Sequence, residues 1–148
     1  MSKPIQKTQP FSLEIPDYVK KMDFARIETS FVAIMDYYLP DRQMIVSPYH
    51  TRCIQKGEIH ELVYVAENHN NFIDLNNAWY LGFINFCQGG VLAKGMTIEI
   101  NGQIKGQLIG FDETHSPNHL NFLISAQNPK TGKELGLKIN DICDFFYP

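Results

Sequence analysis

The chain has 148 residues, of which 44% are hydrophobic and 20% charged, with a formal net charge of -3 at pH 7. That is enough chain for one domain with its own core, and the mixture lies far from the composition of disordered segments. The 13 basic residues are scattered, with no stripe that would neutralise a phosphate backbone, so nucleic acid is not an expected partner.

Residues 1–22 carry Pro4, Pro10 and Pro16 among polar side chains, a spacing that breaks helices and central strands alike. An N-terminal arm, extended or poorly structured, is expected there. Phe11, Leu13 and Ile15 alternate as an edge strand would, and "PDYVKKM" is the helical alternative, with Pro16 near its start. The arm lacks the uninterrupted apolar core of a signal peptide, and no segment approaches the roughly 20 apolar residues that span a bilayer. Cys53, Cys87 and Cys143 are odd in number and widely spaced, without a C-x-x-C pair. A cytoplasmic protein in a reducing compartment, with no membrane partner, is the expectation.

Residues 23–148 read as a single domain of strands. "RIETSFVAIMDYYL" is rich in β-branched and aromatic residues and is broken by "PDRQ"; "QMIVS" follows, stopped by Pro48. "EIHELVYVAE" places Ile59, Val63 and Val65 on one face and His60, Leu62 and Tyr64 on the other. "HNNFIDLNNAWY" is a lid or a long hairpin loop, and "AWYLGFINF" is apolar on both faces, with Gly82 at a tight barrel corner. In "MTIEINGQIKGQLIGF" the Asn-Gly pair marks a hairpin. A two-residue turn would mix apolar and polar side chains on one face. We therefore expect a loop over Ile100 to Gly102, with Gly102 left-handed, Ile98 opposite Ile104 and Met96 opposite Gly106. Gly102, Gly106 and Gly110 suit strong coiling and closure. After "HLNFLISA" and the turn "NPKTG", "ELGLKINDICDFFYP" is a last strand with a short terminal turn. The predicted fold is all-β: a small closed or partly open antiparallel β-barrel, with a sandwich as the alternative.

The densest chemistry lies in "GFDETHSPNHLNFLI". Pro117 favours the second position of a β-turn, so His115 and His119 flank a reversal whose ends approach within about 7 Å. With Asp112 or Glu113 near, two imidazoles are the ingredients of a divalent metal site for zinc, iron or manganese. In "KGEIHEL", Glu58 and His60 share a strand face with Leu62 and Tyr64. Were that face to point into a barrel, its polar end would lie at the mouth over an apolar floor. The candidate set is then His115, His119, His60 and Asp112 as metal ligands, Glu58 and Glu113 as acid or base, and Tyr64, Asn118 and Asn121 as binding residues. The alternative is structural: Asp, Asn and Ser side chains capping turn amides, with Glu58 and His60 at a solvated strand end. Cys53 beside Arg52, the Pro-preceding Ser47 and Ser116, and Gly89-Gly90 lack the context of a nucleophile or a phosphate loop.

The order of "KGEIHELV", "YLGF" and "GFDETHSPNH" resembles a family of small bacterial proteins known as a domain of unknown function, over roughly residues 26–126. The resemblance implies a single compact domain and carries no activity or site residue. Two functions are expected to compete. One is a metal-assisted lyase, isomerase or hydrolase acting on a small polar metabolite through a His/carboxylate site; the other is a non-catalytic small-molecule-binding or assembly module. A small-molecule ligand and a homo-oligomer are the partners expected under either.

Overall fold

Alternating β-branched and aromatic residues extend most of the chain, and the structure shows where the strands stop. The computed structural model describes Pro4–Ile5, residues 14–67 and residues 73–148. In chain order the elements are β1 (Pro4–Ile5), α1 (Asp17–Lys20), β2 (Ile27–Leu39), β3 (Met44–Ile45), β4 (Thr51–Ile54), β5 (Ile59–Glu67), β6 (Ile73–Phe86), β7 (Gly90–Ala93), β8 (Thr97–Ile100), β9 (Gln103–Asp112), β10 (Asn121–Ala126) and β11 (Ile142–Phe146). Seven strands close a barrel in the order β10-β5-β6-β2-β11-β8-β9, while β1 pairs with β3 and β4 with β7. All barrel pairs are antiparallel except β5 with β10, which run parallel with Glu61 opposite Asn121. Closure of this kind leaves the barrel no unpaired edge.

The barrel interior is filled. Phe31, Phe86, Phe111, Phe122 and Phe145 are fully or almost fully buried, and Phe122 sits edge-on to Phe86, Phe111 and Phe145. From β5 the interior receives Leu62 and Tyr64; the opposite face gives Val63 and Val65 to a second cluster with Met44, Ile109 and Leu123. That second cluster lies outside the barrel wall, under β3 and the turn before it. β5 is thus buried on both faces, as a strand sandwiched between two layers must be. Two glycines permit tight wall contacts at left-handed φ: Gly82 (φ 151°), where a Cβ would overlap the Ala33 carbonyl oxygen, and Gly106 (φ 155°), where it would press on Ser125 O.

Several expectations are corrected. Asn101 (φ 50°) and Gly102 (φ 81°) form a two-residue turn with Ile100 opposite Gln103. The left-handed Gly102 is present, but the Ile98–Ile104 and Met96–Gly106 pairs are not. A register shift between Ile98 and Glu99 puts Ile98 opposite Gly106 and Glu99 opposite Ile104. This irregularity keeps Ile98 and Ile100 in the core and turns Ile104 out, 71% exposed, which resolves the mixed face that argued against the short turn. "QMIVS" yields only β3 and a bridge from Val46 to Asp112, because the Asp112 side chain takes the Ile45 N–H. In the last segment only Ile142–Phe146 is strand. Of the expected arm, β1 pairs with β3 and α1 follows Pro16; Phe11 and Leu13 lie outside the described residues, as do residues 68–72 of the Asn-rich loop. Among the described residues no helix is long and apolar enough to cross a membrane.

Candidate functional site

Glu61 alternates along β5 with Val63 and Val65, so its carboxyl enters the otherwise apolar outer layer and is only 3% exposed. Burial without full charge compensation favours the neutral form. It pushes the Glu61 carboxyl up to about 7; Arg42 pulls it down and Asp112 adds to the rise.

Around it the end of β9, the start of β10 and the turn after β2 converge on Asp112, which is fully buried. Its Oδ1 accepts from Ile45 N, Thr114 N and Thr114 Oγ1, and its Oδ2 from Arg42 Nη2 (2.6 Å) and Asn121 Nδ2 (3.1 Å). Five donors occupy the acceptor sites a carboxylate offers. Asp112 is therefore a knot that ties the turn, β3 and the 113–120 loop to the barrel. Arg42, held by its own N–H to Asn76 O, commits Nη2 to that knot, while its buried Nη1 has no hydrogen-bond partner among the described residues. Tyr80 lies beside Arg42; burial raises the pKa of its hydroxyl and Arg42 opposes the rise.

The loop after β9 brings in the histidines. Pro117, preceded by a cis peptide, takes the third position of a turn closed by Asn118 N–H to His115 O (3.0 Å), not the expected second position. The His115 and His119 rings converge, stacked with centroids 5.2 Å apart. Asn118 Nδ2 donates to His119 Nδ1 (2.8 Å), so the neutral imidazole carries its proton on Nε2, which faces Glu61 Oε1 at 3.4 Å. That distance would admit an ion pair. However, burial, His115 and His60 lower the pKa of His119 while burial raises that of Glu61 to about 7, so the neutral form of each partner is favoured and the contact is not a standing ion pair. Phe83 closes the far side, edge-on to His119 at 4.9 Å.

Above Glu61 opens a cavity of about 440 Å³ between the end of β2 and the 113–119 loop. Glu61, Arg42 and Tyr80 contribute polar groups; Met35, Tyr37 and Leu39 form an apolar wall, and Thr114 and His115 the opposite lip. An apolar cleft with a few convergent polar groups is the usual build of a small-ligand site.

The other sequence candidates lie elsewhere. His60 faces the interior against Phe86 and Phe122; its Nδ1 accepts Leu120 N–H (2.9 Å), so Nε2–H donates to Glu58 Oε1 (2.9 Å). Burial lowers the His60 pKa against the pull of Glu58, which also accepts from Gln55 N–H and faces Arg52 at 3.6 Å. Tyr64 is buried, its hydroxyl donating to Lys105 O (2.8 Å), so the apolar floor expected beneath Glu58 and His60 is packed. Glu113 donates its N–H to Ile45 O beside β3 and does not line the cavity; Asn118 and Asn121 orient His119 and Asp112. Among the described residues no group of three or more His, Cys, Asp or Glu is placed to hold a metal ion. Glu61, Arg42 and Tyr80 were not singled out from sequence. For Glu61 the signal was present, a carboxylate in a strand's apolar stripe; for Arg42, in a turn, there was none.

Comparison with curated proteins and with solved structures finds no match. Residues 20–145 match a family of unknown function (DUF6917), and the chain belongs to that family.

Proposed function

We propose that the protein is a proton-transferring enzyme of the lyase or isomerase type, acting on a small polar metabolite bound above Glu61. One observation carries this reading: a carboxyl only 3% exposed, held at about 7, on the wall of an open cavity. A general base works best with a pKa near the working pH, and burial is the usual means of moving a carboxyl there. In this scheme Glu61 takes and returns the substrate proton, and the Nε2–H of His119 steadies the ionised carboxylate as it forms. Tyr80 offers a hydroxyl donor whose raised pKa keeps it protonated.

The test is hydrogen exchange in D2O. Tag-free protein is incubated with a panel of small 2-oxo, 3-oxo and 2-hydroxy acids, and proton NMR follows deuterium entering the carbon beside the carbonyl or hydroxyl. Wild-type protein should exchange at least one member and Glu61→Gln none. No exchange with any member, together with a Glu61 carboxyl titrating near 4.5, would leave a non-catalytic binding module. Elemental analysis decides the metal-assisted version. Near-stoichiometric zinc, iron or manganese, lost in a still-folded His115→Ala/His119→Ala variant, would move the chemistry to a metal.

A further inference from the structure

We infer that the neutral imidazole of His60 is a catch on the 113–119 loop, and that protonating it releases the end of the loop that carries His119. This goes beyond the proton-transfer reading and stands whatever chemistry occurs above Glu61. The loop re-enters the wall at Leu120, whose backbone β5 grips on both sides. Its N–H donates to His60 Nδ1 (2.9 Å), and its carbonyl accepts from Glu61 N–H (3.0 Å). The first grip is a side-chain lone pair, which exists only on a neutral ring. The other end of the loop is tied separately, by Glu113 N–H to Ile45 O and Thr114 N–H to Asp112 Oδ1, so release of Leu120 lets the loop pivot there. His119 adjoins Leu120, and its Nε2 is then no longer held 3.4 Å from Glu61 Oε1.

Protonation turns Nδ1 into a donor that faces the Leu120 N–H, at a residue only 6% exposed. A buried N–H without an acceptor is costly, and parting Leu120 from the ring relieves it. The new charge is not stranded, because Nε2–H already points at Glu58 Oε1 (2.9 Å). Two cationic or titratable groups oppose it: Arg52 of β4, 3.6 Å from Glu58 Oε1, and His119 of the loop itself, while Phe86 of β6 and Phe122 of β10 cover the ring. Among the described residues no group placed to hold a metal includes His60. Burial, and after it Arg52, holds the closed-loop imidazole below its ordinary 6.5, against the pull of Glu58. An open loop exposes the ring and returns it toward that value, so the open form binds more protons and acid draws the loop open. Closure is complete above about 6.5 and weakens as pH falls below it.

The test is amide hydrogen exchange of the full chain, followed by heteronuclear NMR from about pH 7 to about pH 5 and expressed as protection relative to the unfolded chain. In the wild type, protection of the Leu120 amide should fall at least about threefold over that range, within the tenfold that each unit of pKa difference allows. His60→Asn sets an amide oxygen near the place of Nδ1, an acceptor that does not titrate, so protection there should not fall with acid. His119→Gln should keep the fall. Should His60→Asn fold too poorly to assay, the ring nitrogen shifts of wild-type His60 decide: Nδ1 should gain its proton over the same pH interval in which Leu120 loses protection. A fall that survives in His60→Asn or vanishes in His119→Gln, a His60 that titrates while Leu120 stays protected, or a ring still neutral at the acid end would overturn the inference.

Discussion

Replacing Glu61 by Gln keeps the shape of the side chain and removes its ionisation. Its carboxyl ionises near 4.5 in the unfolded chain and at about 7 in the fold. Between those values the folded protein holds a proton that the unfolded chain has released, so stability falls as pH rises. The contribution is whole below about 4.5 and gone above about 7. At about 1.4 kcal/mol per tenfold, the interval from 4.5 to about 7 amounts to roughly 3 kcal/mol, and at 3% exposure little solvent screening reduces it. Urea unfolding of wild type and Glu61→Gln across that interval isolates the group, because every other titration is common to both. The wild type should lose about 3 kcal/mol relative to the variant from the acid end to the alkaline end. A difference that stays constant with pH would show that Glu61 ionises normally and would remove the physical basis for its role as base.

Arg42→Ala strands the Asp112 carboxylate in the wall and should cost about 3–5 kcal/mol in urea unfolding; in an Asp112→Asn background the same change should cost much less. Gly82→Ala, which drives a methyl into the Ala33 carbonyl oxygen, should destabilise far more than Gly102→Ala, where nothing lies within 4 Å and only about 1 kcal/mol of left-handed strain applies. Exposed Cys53 should react rapidly with a disulfide reagent in the native protein, while fully buried Cys143, whose thiol burial pushes up, should react only on unfolding.

The barrel was legible because its strands carry the signals strands need: β-branched runs, Asn-Gly at 101–102 and a glycine at the Gly82 corner. The register of the β8–β9 hairpin was not. Period-two reasoning treats a mixed face as an error, whereas the shift beside Glu99 absorbs it by turning Ile104 to solvent. Convergence of His115 and His119 was legible from turn chemistry, although Pro117 takes the third position of the turn and not the expected second. The partner that matters to His119 is Glu61, and it stayed hidden because β5 is apolar on both sides, so alternation could not say which face was the wall's exterior. Asp112 drew notice as a metal ligand. Its five donors come from residues as distant as Arg42, and no local pattern reveals that a carboxylate is already saturated.

The parallel pairing of β5 with β10 has a consequence for how the chain reaches this state. Glu61 and Asn121 meet across a loop of about sixty residues, and joining strands so far apart is entropically slow compared with forming the β8–β9 hairpin. The same docking event carries Glu61 and Asp112 out of water, since Asn121 bonds to Asp112 only when β10 lies between β5 and β9. Closing this seam and assembling the cavity are therefore one event, distinct from the still longer-range pairing of β2 with β11, which sets Ile27 opposite Phe145. A chain in which this seam is open lacks the Asn121–Asp112 bond, and a ligand that fills the cavity should slow the unzipping of the seam.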